Sequence, residues 1–147
     1  MKSCFIDSNI VVYANDAREA GKQTQAIDVI TACMKAKNGV ASIQVLQEYA
    51  NIAMRKLQQP APIILRQLKL LEALRVITPS PKAVRRSVEI SQTYKVSFWD
   101  AGIIAAAEEG ECEVIFSEDL NSGQYYAGIE VVDPLSPGFD LARYAAV

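Results

Sequence analysis

Four acidic residues stand where chemistry could begin: Asp7, Glu48, Asp100 and Asp119. Asp7 closes an apolar run and precedes Ser8 and Asn9, the setting of a turn or helix cap. Glu48 falls roughly 40° from Ile52 on a helical wheel, at the border of an apolar stripe. A carboxylate at such a rim needs a partner, because an unpaired buried charge is costly. Asp100 ends Ser97-Phe98-Trp99-Asp100, a capping box with a short acid in third place. The apolar residues around it predict partial burial. Asp119 belongs to Phe116-Ser117-Glu118-Asp119, where a loop aspartate is ordinary. Singly, none of the four demands a function.

Brought together, they pose a physical problem. Two carboxylates 4 Å apart repel by about 4 kcal/mol at an effective dielectric of 20. Several such contacts rival the roughly 5–15 kcal/mol that stabilises a domain. A divalent cation turns the repulsion into binding, and an all-oxygen site suits Mg²⁺ or Mn²⁺. Such an ion can orient a phosphodiester, activate water and stabilise a leaving oxygen. Histidine is absent from the chain. That excludes Ser-His-Asp and Cys-His catalysis, imidazole bases and histidine metal sites.

The elements that must position these acids follow from periodicity and punctuation. Strands are expected over residues 3–6, 40–42, 75–78, 114–116 and 129–132. Helices are expected over residues 19–37, 42–57, 63–74, 79–95 and 98–109, with Ser42 and Ser97 as N-caps and Asn38-Gly39 and Gly110 as stops. Asp7-Ser8-Asn9 reads as a turn. Strands alternating with helices predict an α/β three-layer αβα sandwich around a central parallel five-stranded sheet. Ligands of such sheets bind beyond the carboxyl ends of the strands. Asp7 and Asp119 fall just past strands, Asp100 opens a helix, and Glu48 lies in the second turn of another.

Composition bounds the rest. The 147 residues are 50% hydrophobic and 22% charged, which predicts one domain over residues 1–147 with a real core. The N-terminal sequence reaches an acid at position 7, unlike a signal peptide. No run nears the roughly 18 apolar residues of a membrane span. A cytoplasmic protein with no membrane association is therefore expected. Cys4, Cys33 and Cys112 form no C-x-x-C pair and read as small buried residues. Residues 55–95 carry nine Lys/Arg and two Asp/Glu, while the remainder carries six and fifteen. That basic middle could hold a phosphate backbone beside an acidic centre, or be a set of solvated helix faces.

In order and spacing, Phe5-Ile6-Asp7-Ser8-Asn9, Leu46-Gln47-Glu48, Phe98-Trp99-Asp100-Ala101 and Ser117-Glu118-Asp119-Leu120 resemble the PIN-domain family, particularly its VapC-type toxins. The resemblance implies a metal-dependent endoribonuclease, the toxin component of a toxin–antitoxin pair, using Mg²⁺ or Mn²⁺ to cleave RNA. By it, Asp7, Glu48, Asp100 and Asp119 are metal-site and catalytic acids, and Asn9 and Ser117 support them. It further implies a homodimer and a small antitoxin that inserts a segment into the active-site groove. Many relatives have Thr-Asn after the first acid, where this chain has Ser8-Asn9. Glu118 beside Asp119 leaves open which acid faces the site, and the Ser-x-Asp spacing favours Asp119.

Two other readings compete. Phosphoaspartyl phosphatases also place an Asp after the first strand, but need a second Asp where this chain has Asn9. A non-catalytic RNA- or protein-binding α/β module could instead work through the basic middle. For base stacking, Tyr94, Trp99, Tyr125 and Tyr126 are candidates by residue type alone.

Overall fold

The computed structural model describes residues 1–146; Val147, the last residue of the expected domain span, lies outside them. The chain runs β1 (Cys4–Ile6), α1 (Ser8–Ala14), α2 (Ala20–Ala36), β2 (Gly39–Ser42), α3 (Ile43–Arg55), α4 (Ala61–Leu71) and β3 (Arg75–Ile77). It continues through α5 (Pro81–Tyr94), α6 (Phe98–Glu109), β4 (Val114–Phe116), β5 (Tyr125–Tyr126) and β6 (Ile129–Val132). The strands form one sheet in the order β3-β2-β1-β4-β6-β5. All pairings are parallel except β5 with β6.

From β1 the chain moves outward to β2 and β3, then returns through α5 and α6 to β4 on the other side of β1. Right-handed crossovers in opposite directions place α1–α4 and α5–α6 on opposite faces, giving the three layers. Strands covered on both sides lose the alternating pattern: Cys4, Phe5, Ile6, Val114, Ile115 and Phe116 are all fully buried. The strand order reverses between β1 and β4, so this fold opens its crevice where those two strands end.

Two differences from the expected elements have physical causes. The sheet has six strands rather than five, because β5 pairs with β6 through the two-residue loop Ala127-Gly128. Both loop residues have positive φ, 51° and 80°, as a type I′ hairpin requires. Ala-Gly lacks the Asn-Gly or Asp-Gly signature, so the hairpin is silent in the sequence. Asp7-Ser8-Asn9 is also more than a turn, since it opens α1. The run Ile10-Val11-Val12 is strand-prone by propensity. Burial of Ile10 and Val11 in the core outweighs that local preference. Elsewhere the expected and observed bounds differ by a few residues, as helix ends do.

Candidate active site

Asp7 follows β1 directly and N-caps α1. Its backbone N–H donates to the Phe116 carbonyl at 3.0 Å, extending the β1–β4 ladder by one bond. The residue is only 5% exposed. Its Oδ1 accepts from the Ser8 backbone N–H at 2.7 Å. Its Oδ2 accepts from the Ser117 hydroxyl at 2.8 Å and from the Asn9 side-chain amide at 3.1 Å. Asn9 also donates to Ser117 Oγ, and Asn9 Oδ1 accepts from the Glu118 backbone N–H. Ser117 Oγ accepts in addition from the N–H groups of Asp119 and Leu120. One buried hydroxyl thus ties the acid after β1 to the loop after β4. Burial pushes the Asp7 carboxyl up from 3.8 to about 6. The Ser117 and Ser8 hydrogen bonds oppose the rise, while the charges of Glu48 and Asp119 add to it.

Glu48 sits half-buried on α3, as its wheel position predicts, and it has the partners such a position needs. The Ser8 hydroxyl donates to Glu48 Oε1 at 2.9 Å. Gln44, one turn earlier, donates to Oε2 at 3.3 Å and to the Trp99 carbonyl at 2.9 Å. Gln44 therefore couples Glu48 to the first turn of α6, which carries Asp100. Gly102 leaves room for this bridge, since a Cβ there would stand 2.6 Å from Gln44 Oε1. Sequence reasoning missed Gln44, although its i,i+4 spacing from Glu48 was a usable signal.

Asp100 is partly buried at the start of α6. Ser97 Oγ accepts from its N–H at 3.0 Å, which is half of the expected capping box. Among the described residues, the carboxylates of Asp100 and Asp119 accept no hydrogen bond. α6 runs back towards the start of β4, so its N-terminus lies at the edge where β1 and β4 end.

The neighbouring acids Glu118 and Asp119 part company. Tyr13 donates its hydroxyl to Glu118 Oε1 at 2.7 Å, and the Lys22 ammonium donates to Oε2 at 2.8 Å. Lys22 also lies 4.8 Å from the Tyr13 ring centroid. Burial raises the Glu118 carboxyl, but Lys22 and Tyr13 outweigh it and hold it below its ordinary range. Glu118 is thus committed to a structural clamp, whereas Asp119 contributes its charge to Asp7. The clamp joins α1, α2 and the β4 loop, and no short-range pattern announces it. The aromatic candidates divide as well. Tyr126 is buried edge-on against Tyr94, whose hydroxyl accepts from the Ala127 N–H. Trp99 is 66% exposed beside Asp100.

These residues fit a hard divalent cation by donor type, being oxygen ligands without a competing cation. Among the described residues, no Lys or Arg forms an ion pair with Asp7, Glu48, Asp100 or Asp119. The fit stops short of a closed cage. Among the described residues no three acidic or cysteine side chains converge closely enough to enclose an ion.

An α/β domain with acids gathered where β1 and β4 end defines a class, and comparison with known proteins places the chain within it. The PIN domain family model matches residues 4–126, from the first residue of β1 to the last of β5. The chain belongs to the PIN domain family. A structure described as a toxin–antitoxin complex from Klebsiella pneumoniae shares 22% identity, with a TM-score of 0.64. That match covers 90% of this chain and 98% of the other. Mycobacterium tuberculosis VapC20, a toxin that cleaves the sarcin-ricin loop, shares 18% identity and a TM-score of 0.66. It covers 87% of this chain and 99% of that one. At these identities the two structures establish the fold. A search of curated proteins finds no match.

Proposed function

We propose that this protein is a metal-dependent endoribonuclease, the toxin of a toxin–antitoxin pair. One observation carries the reading: Asp7, buried and pushed up to about 6, faces the charges of Glu48 and Asp119, and among the described residues no cation pairs with any of them. Burial and like charges both penalise the ionised form of such a carboxylate, and a bound cation would relieve that penalty. Asp7, Glu48, Asp100 and Asp119 would hold Mg²⁺ or Mn²⁺, with Asp7 the fixed member of the set. When bound, the ion would supply Lewis acidity and activated water at a phosphodiester. Asn9 and Ser117 aim Asp7 by donating to Oδ2, and Ser8 and Gln44 aim Glu48. The role of toxin rests on family membership and on similarity to a toxin–antitoxin complex and to an RNA-cleaving toxin. A small antitoxin, a homodimeric state and a cytoplasmic location belong to the same proposal. No helix among the described residues is long and apolar enough to cross a membrane.

The test is cleavage of total RNA by the purified protein with Mg²⁺ or Mn²⁺, and its arrest by EDTA. Activity that survives EDTA overturns the metal site. A second reading, a non-catalytic RNA- or protein-binding module, draws support from the absence of a closed acid cage. Tight RNA binding without cleavage under any divalent metal would select it.

A further inference from the structure

A cavity of about 210 Å³ opens beside the acids, between α1 and the C-terminal end of α3. Ser8, Asn9 and Asp119 form the wall it shares with the candidate site. Its apolar lining comes from Val12, Ile52 and Leu57. Two cations, Arg18 and Lys56, and a second acid, Asp16, complete the charged lining. Arg18 is already engaged, forking onto Asp16 through Nε at 2.9 Å and Nη2 at 3.0 Å. Lys56 forms no ion pair among the described residues, and it only adds to the field that lowers Asp16. The cavity therefore offers apolar surface and one uncommitted ammonium next to an acid of the site.

We propose that this cavity is the subsite for the nucleotide adjoining the bond that is cut. The base lies on Val12, Ile52 and Leu57, and Lys56 meets the phosphate. The inference rests on the ribonuclease reading above and says where the RNA runs. Four carboxylates repel a polyanion, so a strand reaching them needs positive charge at the next phosphate along. Lys56 is the lining cation free to provide it. Size favours a base over a longer occupant, since pockets for drug-sized ligands span roughly 300–1,000 Å³. A flat heterocycle also suits an apolar lining without base-specific readout.

The test compares wild type with Lys56→Gln and Leu57→Trp on a single-stranded RNA oligonucleotide and on a random RNA pool. Both positions follow the end of α3, so neither change interrupts a helix. Lys56→Gln is expected to raise KM roughly tenfold at low salt, moving kcat far less. It should also flatten the dependence of log KM on log salt by about 0.7, the loss of one phosphate contact on a single strand. Leu57→Trp narrows the cavity and should shift which positions of the pool are cut. If wild type cuts and both variants keep its KM, salt slope and cut positions, the subsite is wrong and the ribonuclease reading stands. Weakened inhibition by a partner protein with unchanged RNA cutting also overturns the subsite. Wild type that neither binds nor cuts RNA removes both. If Leu57→Trp melts early, the salt slope of Lys56→Gln decides alone.

Discussion

The Asp7 carboxylate accepts four hydrogen bonds in near-complete burial, whereas among the described residues the carboxylates of Asp100 and Asp119, at the same edge of the sheet, accept none. The β1–β4 side of the site is built at the point where strand order reverses, from residues that hold each other through Ser117 and Asn9. On the α6 side, the first turn meets Glu48 through the Gln44 bridge to the Trp99 carbonyl and is capped by Ser97, while the rest of the helix is packed in the core. The Asp7 carboxylate is held in place by its donors, and among the described residues those of Asp100 and Asp119 have none. Like charge still bears on the held acid, since Glu48 and Asp119 both raise the Asp7 carboxyl.

The sharpest way to break this comparison is to neutralise the buried, hydrogen-bonded acid and, separately, one whose carboxylate accepts no hydrogen bond. Asp7→Asn is expected to abolish Mg²⁺-supported RNA cutting, while Asp119→Asn should lower kcat by roughly 10²-fold. Equal losses in single-turnover assays would erase the distinction between the hydrogen-bonded acid and the one without donors.

Titration sharpens it next. Asp7 must be ionised to act, so kcat/KM should rise about tenfold per pH unit below about 6 and level off above. The stability effect has the opposite sign. Because the folded-state value of Asp7 is raised, its contribution is fully present below 3.8 and is lost as pH rises through about 6. Wild type should therefore lose about 3 kcal/mol relative to Asp7→Asn between those pH values. Paired denaturant titrations of the two proteins measure that difference, and a pH-independent gap would contradict the raised value.

The two serines give a smaller contrast. Ser117→Ala leaves the buried Asp7, Asn9 and the Asp119 and Leu120 amides short of a partner, and should cost about 1–3 kcal/mol. Ser97→Ala removes only an exposed cap and should cost about 1 kcal/mol. Thermal unfolding of both variants settles the order. Smallest of all is Glu118→Gln. Its partly exposed pair with Lys22 should be worth under 1 kcal/mol, with RNA cutting retained. Loss of cutting there, measured beside Asp119→Asn, would exchange the roles of the two acids.

Much of the layout was legible because its causes are local. Ser42 and Ser97 cap the helices they were expected to cap, each accepting from the backbone N–H three residues on. β4 and α6 occupy the residues that apolar runs and caps indicate. The β5–β6 hairpin was invisible because Ala127 adopts a positive φ that its residue type does not advertise. α1 does not show in the sequence pattern because its helix is secured by packing of Ile10 and Val11 rather than by propensity.

The acids themselves divide along the same line. Asp7, Glu48, Asp100 and Asp119 were nominated by residue type and by their places after strands and in the early turns of helices, which short-range patterns reveal. Only the tertiary structure decided that Asp7 is the buried one, that Glu118 is drawn off by Tyr13 and Lys22, and that Lys56, with no ion pair among the described residues, lines one cavity with Asp119. Those outcomes depend on contacts between residues far apart in the chain, such as Ser8 with Glu48, 40 residues on, or Asp7 with Ser117, 110 residues on. Burial and pairing are properties of such contacts, and they exist only once the strands have been brought side by side.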